Sequence, residues 1–280
     1  MSDAPLSPPD PIVKFHRLHA EGCFILPNPW DVGTARYLHH LGFKALATTS
    51  AGYAFTRAKP DGAISRDEML AHIREVVVAT PLPVNADFLS GFADGPAEVA
   101  ENVARCVATG VAGLSIEDST GREKTPLYDQ TLAIERIAAA RRAIDESGRR
   151  VLLTGRCEAF LVQEPDPLRT SLDRLTAYAE AGADCLYAPG VAAVDEVAAI
   201  VKAVAPKPVN VLVSGFNSHL TLAQMRDLGV RRISVGSGLA LAAWGEFMRA
   251  AGAMATEGSF AALAGGARFA ELNELFAPPD

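Results

Sequence analysis

The chain reads as an α/β protein folded into one parallel (β/α)8 TIM barrel, and three observations carry that expectation. Eight short β-branched runs alternate with helix-period sequence along the 280 residues. At four of the joins a glycine sits in the last helical turn or just beyond it, and the next run follows at once: Gly42, Gly110, Gly182 and Gly229. Glycine there supplies the left-handed cap that turns a helix back toward a sheet. The composition, 49% hydrophobic, does not by itself choose between one barrel and two domains, but eight βα units with no second composition block argue for one closed parallel barrel rather than an open sheet.

In chain order the expected strands are Cys23–Leu26, Lys44–Thr49, Pro83–Phe88, Ala112–Glu117, Val151–Arg156, Asp184–Ala188, Val209–Val213 and Arg232–Val235. Ahead of them, residues 1–11 are rich in proline and carry two aspartates, and are expected to be a disordered tail. Residues 12–255 would form the barrel and 256–280 a helical extension. Between strands, Ser65-Arg66-Asp67-Glu68 fits a capping box, and Val99, Val103, Cys106 and Val107 mark one apolar helical stripe. The connections Ala51–Ile64 and Asp118–Pro126 are longer and richer in Gly, Pro and charge than the others. Long connections after strands belong on the catalytic face of such a barrel. Gly236-Ser237-Gly238 reads as a tight turn into the last barrel helix. That helix, Leu239 to Met254 with Trp244 and Phe247, is nearly all apolar and is expected at a subunit interface. A further amphipathic piece ends near Phe276.

Charge excludes some roles. Twenty-six basic against 33 acidic residues give a net charge of -7, with no concentration of Lys and Arg on one face, so nucleic acid is not an expected partner. Four scattered cysteines, Cys23, Cys106, Cys157 and Cys185, lack the spacing of a zinc site or disulfide framework. The start of the chain is unlike a secretory signal and no stretch suits a bilayer, so a cytoplasmic protein without membrane contact is expected.

Three of the apolar runs stop in charge: Val84-Asn85-Ala86-Asp87, Leu114-Ser115-Ile116-Glu117-Asp118 and Leu153-Thr154-Gly155-Arg156-Cys157-Glu158. Burying an unpaired charge costs several kcal/mol, so charge at the ends of buried strands reads as a site. Strand ends converge on one mouth of a barrel, which places Thr49-Ser50-Ala51, Asn85, Asp87, Glu117, Asp118, Arg156 and Glu158 around one cavity. Carboxylates with one arginine suit a hard divalent cation and an anionic substrate. His39, His40 and His72 fall on helices away from the mouth, and alternation points Cys157 away from it as well. His219, after the seventh run, could approach the cavity. No Gly-x-Ser-x-Gly elbow supports a serine hydrolase.

At these residues the chain resembles the isocitrate lyase and phosphoenolpyruvate mutase superfamily, over roughly Phe24 to Trp244. Pro27-Asn28-Pro29-Trp30-Asp31 is similar to that family's first loop. Thr48-Thr49-Ser50-Ala51-Gly52 followed by Pro60-Asp61-Gly62 is similar to its Ser-Gly substrate loop and gating aspartate. Asn85-Ala86-Asp87 stands where the family has Asp-x-Asp, Ile116-Glu117-Asp118 matches its Glu-Asp pair, and Gly155-Arg156-Cys157-Glu158-Ala159-Phe160 matches Ala-Arg-x-Glu-Ala-Phe.

The resemblance implies Mg2+ or Mn2+ near Asp87 and Glu117, binding a 2-oxo or 2-hydroxy carboxylate. Substrate would be held by Trp30, the Thr49, Ser50 and Ala51 loop, Asn85, Arg156 and Glu158, with Asp61, Glu117 and Arg156 taking part in catalysis. It implies a carbon–carbon lyase or decarboxylase working through a pyruvate-type enolate, in a homotetramer or homodimer that exchanges its C-terminal helices. Two alternatives accompany it: carbon–phosphorus chemistry on phosphonopyruvate or phosphoenolpyruvate, and a catalytically impaired 2-oxo acid binder. The connection Ser119 to Pro126 lacks both the lyases' Lys-x-Cys-Gly-His and a mutase-type Lys-x-Asn, which argues against tricarboxylate cleavage. Tyr187-Ala188-Pro189-Gly190 and Val211-Leu212-Val213-Ser214 also lack the family's polar residues, implying a smaller substrate.

Overall fold

The computed structural model describes residues 10–277. Of the expected tail, residues 1–9 lie outside the described residues, while Asp10 caps and Pro11 begins the first helix, α1 (Pro11–Ala20). The Asp10 carboxylate accepts the Ile12 N–H at 2.8 Å, and proline at the first helical position needs no donor. This helix closes the N-terminal end of the barrel. Its Phe15 is fully buried against Gly113, where an added Cβ would come within 2.6 Å of the ring.

The barrel then runs β1 (Phe24–Leu26), α2 (Val32–His40), β2 (Leu46–Ala47), α3 (Ser50–Thr56), α4 (Arg66–Ala79), β3 (Val84–Asp87), α5 (Pro96–Val107), β4 (Gly113–Glu117), α6 (Gln130–Glu146), β5 (Leu152–Arg156), α7 (Pro167–Glu180), β6 (Cys185–Tyr187), α8 (Val194–Val204), β7 (Val209–Leu212), α9 (Leu222–Asp227), β8 (Arg232–Ser234) and α10 (Gly238–Glu257). The strands pair in parallel in the order β1-β8-β7-β6-β5-β4-β3-β2. The seam between β1 and β2 is bridged by the Ala47 N–H to the Pro27 carbonyl at 3.0 Å. The result is the expected eight-stranded barrel, nearly closed.

Most expected strands lose a residue or two at their ends, and the second loses four of its six. Expected as Lys44–Thr49, it is reduced to Leu46–Ala47 because Thr49 leaves the sheet and caps α3, its hydroxyl accepting the Gly52 N–H at 3.2 Å. The expected long connection Ala51–Ile64 therefore starts as helix. The capping box at Ser65 and Glu68 forms, and Val99, Val103, Cys106 and Val107 are all buried on α5.

The apolar core lies between sheet and helices, where Leu114, Ile116, Leu153, Leu186, Val211 and Ile233 are buried. Strand alternation sends their neighbours inward, and those neighbours are largely polar. The barrel is filled by Asn85, Ser115, Thr154, Asn210, Arg232 and Ser234 rather than by branched aliphatics. The four cysteines are free thiols, three of them buried.

After β8, Gly236 takes φ +53 and the Gly238 N–H returns to the Val235 carbonyl at 2.8 Å, so Gly236-Ser237-Gly238 is a tight turn into α10. Along α10, Leu241, Phe247 and Met248 are exposed. The helix ends at Gly258, left-handed at φ 65, and the extension finishes in α11 (Phe269–Phe276) against α2.

Candidate active site

Adjacent strands in register bring their last residues to one level: Glu117 of β4 pairs with Arg156 of β5, and Arg156 with Tyr187 of β6. Asp87 ends β3 beside them. At this mouth one guanidinium serves three carboxylates. Arg156 Nη1 lies 3.1 Å from Glu117 Oε2 and 3.3 Å from Asp87 Oδ1, and its Nε donates to Glu158 Oε1. From the opposite side the Ser50 N–H donates to Asp87 Oδ2 at 2.9 Å, and the Asp87 N–H donates to Thr48 Oγ1 at 2.9 Å.

Three negative charges around one positive charge leave the group short of cation. Burial, reinforced by neighbouring Glu158 and Asp87 and opposed by Arg156, raises the Glu117 carboxyl well above its ordinary value. Burial likewise raises Glu158, again against Arg156, and burial with the Asp87 charge raises Asp61. For Arg156, burial works against the charge, but Glu117 and Glu158 outweigh it and hold the guanidinium ionised. Glu117 Oε2 is near Arg156 but poorly aligned, so this buried oxygen makes no hydrogen bond.

That orphaned oxygen, with Asp87 beside it, fits a hard divalent cation. Among the described residues no three His, Cys, Asp or Glu side chains are grouped for a metal, so protein would supply two carboxylates and leave the remaining positions to water and substrate. Mg2+ commonly binds in that way.

A cavity of about 450 Å3 opens above the mouth, lined by Ser50, Asp61, Glu117, Arg156, Glu158 and the Ser119–Gly121 segment. A smaller chamber of about 50 Å3 lies below it, lined by Asn85, Asp87, Arg156, Tyr187, Asn210 and Arg232 among others. Of the predicted site residues, Trp30, Thr49 and Ala51 line neither space. Thr49 is spent on the α3 cap, and Trp30 packs on α3 at Gly52, where an added Cβ would stand 3.1 Å from the Trp30 Cβ. Asn85 faces down, its Oδ1 accepting from Arg232 at 3.4 Å. A larger cavity of about 880 Å3 between α2 and α11 contains none of these groups.

Asp118, expected at the mouth, turns the other way. Strand alternation sends it outward, where it accepts from Arg174 at 3.1 Å, Tyr178 at 2.7 Å and the Glu158 N–H at 2.8 Å, fixing β5 from behind. His219 is exposed and lines neither space. Buried Cys157 faces α7, its sulfur 3.8 Å from the Ser171 hydroxyl.

Sequence reasoning passed over Tyr187, Arg136 and Arg232. Tyr187 stands beneath Arg156, with the guanidinium carbon 5.3 Å from the ring centre, and burial pushes its phenol up to about 12. Arg136, on the inner face of α6, donates to the carbonyls of Ala93 and Asp94, each at 2.5 Å, and to that of Ser90. It thereby fixes the connection whose Leu89, Ser90 and Phe92 wall the mouth.

The family model for phosphoenolpyruvate phosphomutase matches residues 15–255. The chain belongs to that family. Its structure is similar to the crystal structure of a candidate lyase/mutase from Burkholderia cenocepacia J2315, with 48% identity, a TM-score of 0.93, and coverage of 96% of this chain and 97% of that one. An uncharacterized protein of Mycobacterium tuberculosis H37Rv is 34% identical over 229 residues, 80% of this chain and 82% of that one. The 2-methylisocitrate lyase of Halalkalibacterium halodurans is 25% identical over 225 residues, 79% of this chain and 74% of that one. The protein is thus an enzyme of the isocitrate lyase and phosphoenolpyruvate mutase superfamily. Among the described residues no helix is long and apolar enough to cross a membrane.

Proposed function

We propose that this enzyme is a Mg2+- or Mn2+-dependent lyase or decarboxylase that cleaves a carbon–carbon bond of a small 2-oxo or 2-hydroxy dicarboxylate through a pyruvate-type enolate. The observation that carries the reading is the mouth's excess of carboxylate, with the buried Glu117 Oε2 left without a hydrogen bond beside Asp87. Asp87 and Glu117 would hold the cation, whose chemistry is to stabilise negative charge developing on the substrate oxygen. Arg156 binds a substrate carboxylate by its planar fork, and Glu158 orients that fork through Nε. Ser50 presents its backbone N–H to the mouth. Asp61, its carboxyl raised by burial, stands on the cavity wall to hold a proton for the leaving fragment. The segment Ser119–Gly121 brings hydroxyls rather than an acidic thiol to the rim, which suits decarboxylation or a malate-type cleavage better than tricarboxylate cleavage.

The phosphomutase family match favours a second reading, breakage of a carbon–phosphorus bond in a phosphonate analogue of pyruvate. A third, a binder without turnover, has Asn85 in its support, since that amide faces Arg232 instead of the mouth. Free thiols agree with a cytoplasmic location. The exposed apolar face of α10 agrees with a homotetramer or homodimer built by helix exchange. The deciding experiment incubates the protein and Mg2+ with oxaloacetate, substituted malates, methylisocitrate and phosphonopyruvate, following products by NMR. A 2-oxo acid from a dicarboxylate supports the first reading, phosphate from phosphonopyruvate the second, and binding without product the third.

A further inference from the structure

Arg232 stands at the floor of the barrel, 2% exposed, and its guanidinium reaches across the interior. Its Nε donates to Asn210 Oδ1 at 2.8 Å and its Nη2 to Thr154 Oγ1 at 3.0 Å. Its Nη1 has two long contacts, 3.4 Å to Asn85 Oδ1 and 3.4 Å to His19 Nε2. The His19 Nδ1–H donates to the Phe15 carbonyl at 2.8 Å, which leaves Nε2 as a neutral acceptor. Every one of these partners is uncharged. Among the described residues no carboxylate is ion-paired with Arg232, whereas half-buried Arg156 has three and buried Arg174 has Asp118. Neutral acceptors satisfy hydrogen bonds but do not cancel a buried charge, whose desolvation costs several kcal/mol unless an anion compensates it.

The chamber beside Arg232 has room for such an anion. At about 50 Å3, against the ~10–15 Å3 that one water needs, it takes a carboxylate but not a whole substrate. Arg156 lines both this chamber and the mouth cavity, and Asp87, its ion-pair partner, lines the chamber. Arg156–Asp87, at 3.3 Å, is the longest of the Arg156 ion pairs, and the Arg156 side chain stands between the two spaces. Arg156 follows Thr154 by two residues on β5, a rise of about 6–7 Å along the strand, and Arg232 touches Thr154. Three carbon–carbon bonds of about 1.5 Å each, with the terminal carboxylate oxygens, span that interval.

We propose that Arg232 is a second anion anchor, taking the distal carboxylate of a dicarboxylate while Arg156 holds the carboxylate next to the oxo or hydroxy carbon. This inference rests on the reading of the mouth as a 2-oxo or 2-hydroxy dicarboxylate site and adds which residue holds the distal carboxylate, with the substrate lying along the barrel axis. Serine 234, accepting from Asn210 Nδ2 at 2.9 Å, lines the same chamber.

Calorimetry of the full chain with Mg2+ tests it, using malate against 2-hydroxybutyrate, which keeps the four carbons and replaces the distal carboxylate by a methyl group. Malate is expected to bind at least ten-fold more tightly to the unaltered protein. The ratio should fall below about three in Arg232→Gln and stay intermediate in Arg232→Lys. Equal binding of the two acids to the unaltered protein, or an undiminished ratio in Arg232→Gln, overturns the inference and leaves the mouth reading standing. Binding of neither acid overturns both. If Arg232→Gln does not fold, the unaltered ratio and Arg232→Lys decide between these outcomes.

Discussion

The mouth of this barrel holds a half-buried arginine and the floor a fully buried one, and their surroundings are opposite. Arg156 at the mouth has carboxylates from three strand ends and a raised, overcrowded set of acids around it. Arg232 at the floor has amides, a hydroxyl and a neutral imidazole. The mouth lacks positive charge and the floor lacks negative charge. A cation at one and an anionic group at the other would correct both deficits, and the proposed metal-chelated dicarboxylate would supply them together.

The largest effect expected is on turnover. Arg156→Ala or Asp87→Ala should lower kcat by about 10²–10³-fold or more, the scale of removing one group that stabilises transition-state charge. Both variants should keep the circular dichroism of the unaltered protein, since Asp87 and Arg156 carry no apolar packing of the core. Activity unchanged in both would remove the mouth from the chemistry.

Acid should separate the two ends next. At the floor, burial, helped by the Arg232 charge, lowers His19 to about 3, and it also lowers His72, outside the barrel, to about 4. The unfolded chain protonates these histidines below about pH 6.5 while the folded chain does not, so each removes stability as pH falls, by about 1.4 kcal/mol per unit. At the mouth the sign reverses. Glu117 and Glu158 are raised in the folded state, so above the ordinary carboxylate range they bind protons that the unfolded chain releases, and stability grows as pH falls through that window. Denaturant midpoints of chelator-treated protein at pH 7 and pH 5 test this. His19→Gln should lessen the acid loss and Glu117→Gln should deepen it; shifts in the same direction for both would break the comparison.

A smaller effect comes from packing beneath Arg232. Gly113→Ala would place a Cβ 2.6 Å from the Phe15 ring, 2.7 Å from Asn85 Oδ1 and 3.2 Å from the Leu152 carbonyl. Overpacking of this kind costs about 1–3 kcal/mol. Thermal denaturation should register the loss, and a neutral outcome would mean that α1 sits loosely on the floor.

Why the mouth was legible and the floor was not follows from where charge interrupts a strand. Asp87, Glu117 and Arg156 each end an apolar run, a break visible one residue at a time. Arg232 opens its run directly after Arg231, and two arginines at a strand start read as a solvated edge. Only the barrel's closure shows that the second points inward while Arg231 stays outside, its Nη1 on the Gly22 carbonyl at 3.0 Å. Asp118 failed for the complementary reason: it is as polar as Glu117, but the strand's alternation decides its face. The eight αβ repeats were clear from short strand-like runs alternating with helix-period sequence, four of the joins being marked by glycine. The loss of β2 residues to α3 was not, because Thr49 can either continue a strand or cap a helix, and the tertiary setting chose the cap.

The smallest expected effect lies at the outer rim, and it isolates what burial adds to a charge. Arg122 donates to Asp94 Oδ2 with the two side chains 55% and 58% exposed, and Tyr128 donates to the same carboxylate at 2.6 Å. Asp94 therefore keeps a partner when Arg122 is removed. Exposed pairs contribute about 0–1 kcal/mol because water screens them and ordering two long side chains offsets the attraction. Arg122→Ala should accordingly leave thermal stability within that range, although it lies on the segment that brings Thr120 and Gly121 to the mouth. The segment has other holds: the Thr120 N–H donates to the Pro126 carbonyl at 2.9 Å, and the Ser119–Leu127 bridge ties its base. Beneath it, Arg136 grips the Asp94 backbone from the interior. A stability loss beyond 1 kcal/mol in Arg122→Ala would show that the rim, not the buried Arg136, fixes the wall of the mouth.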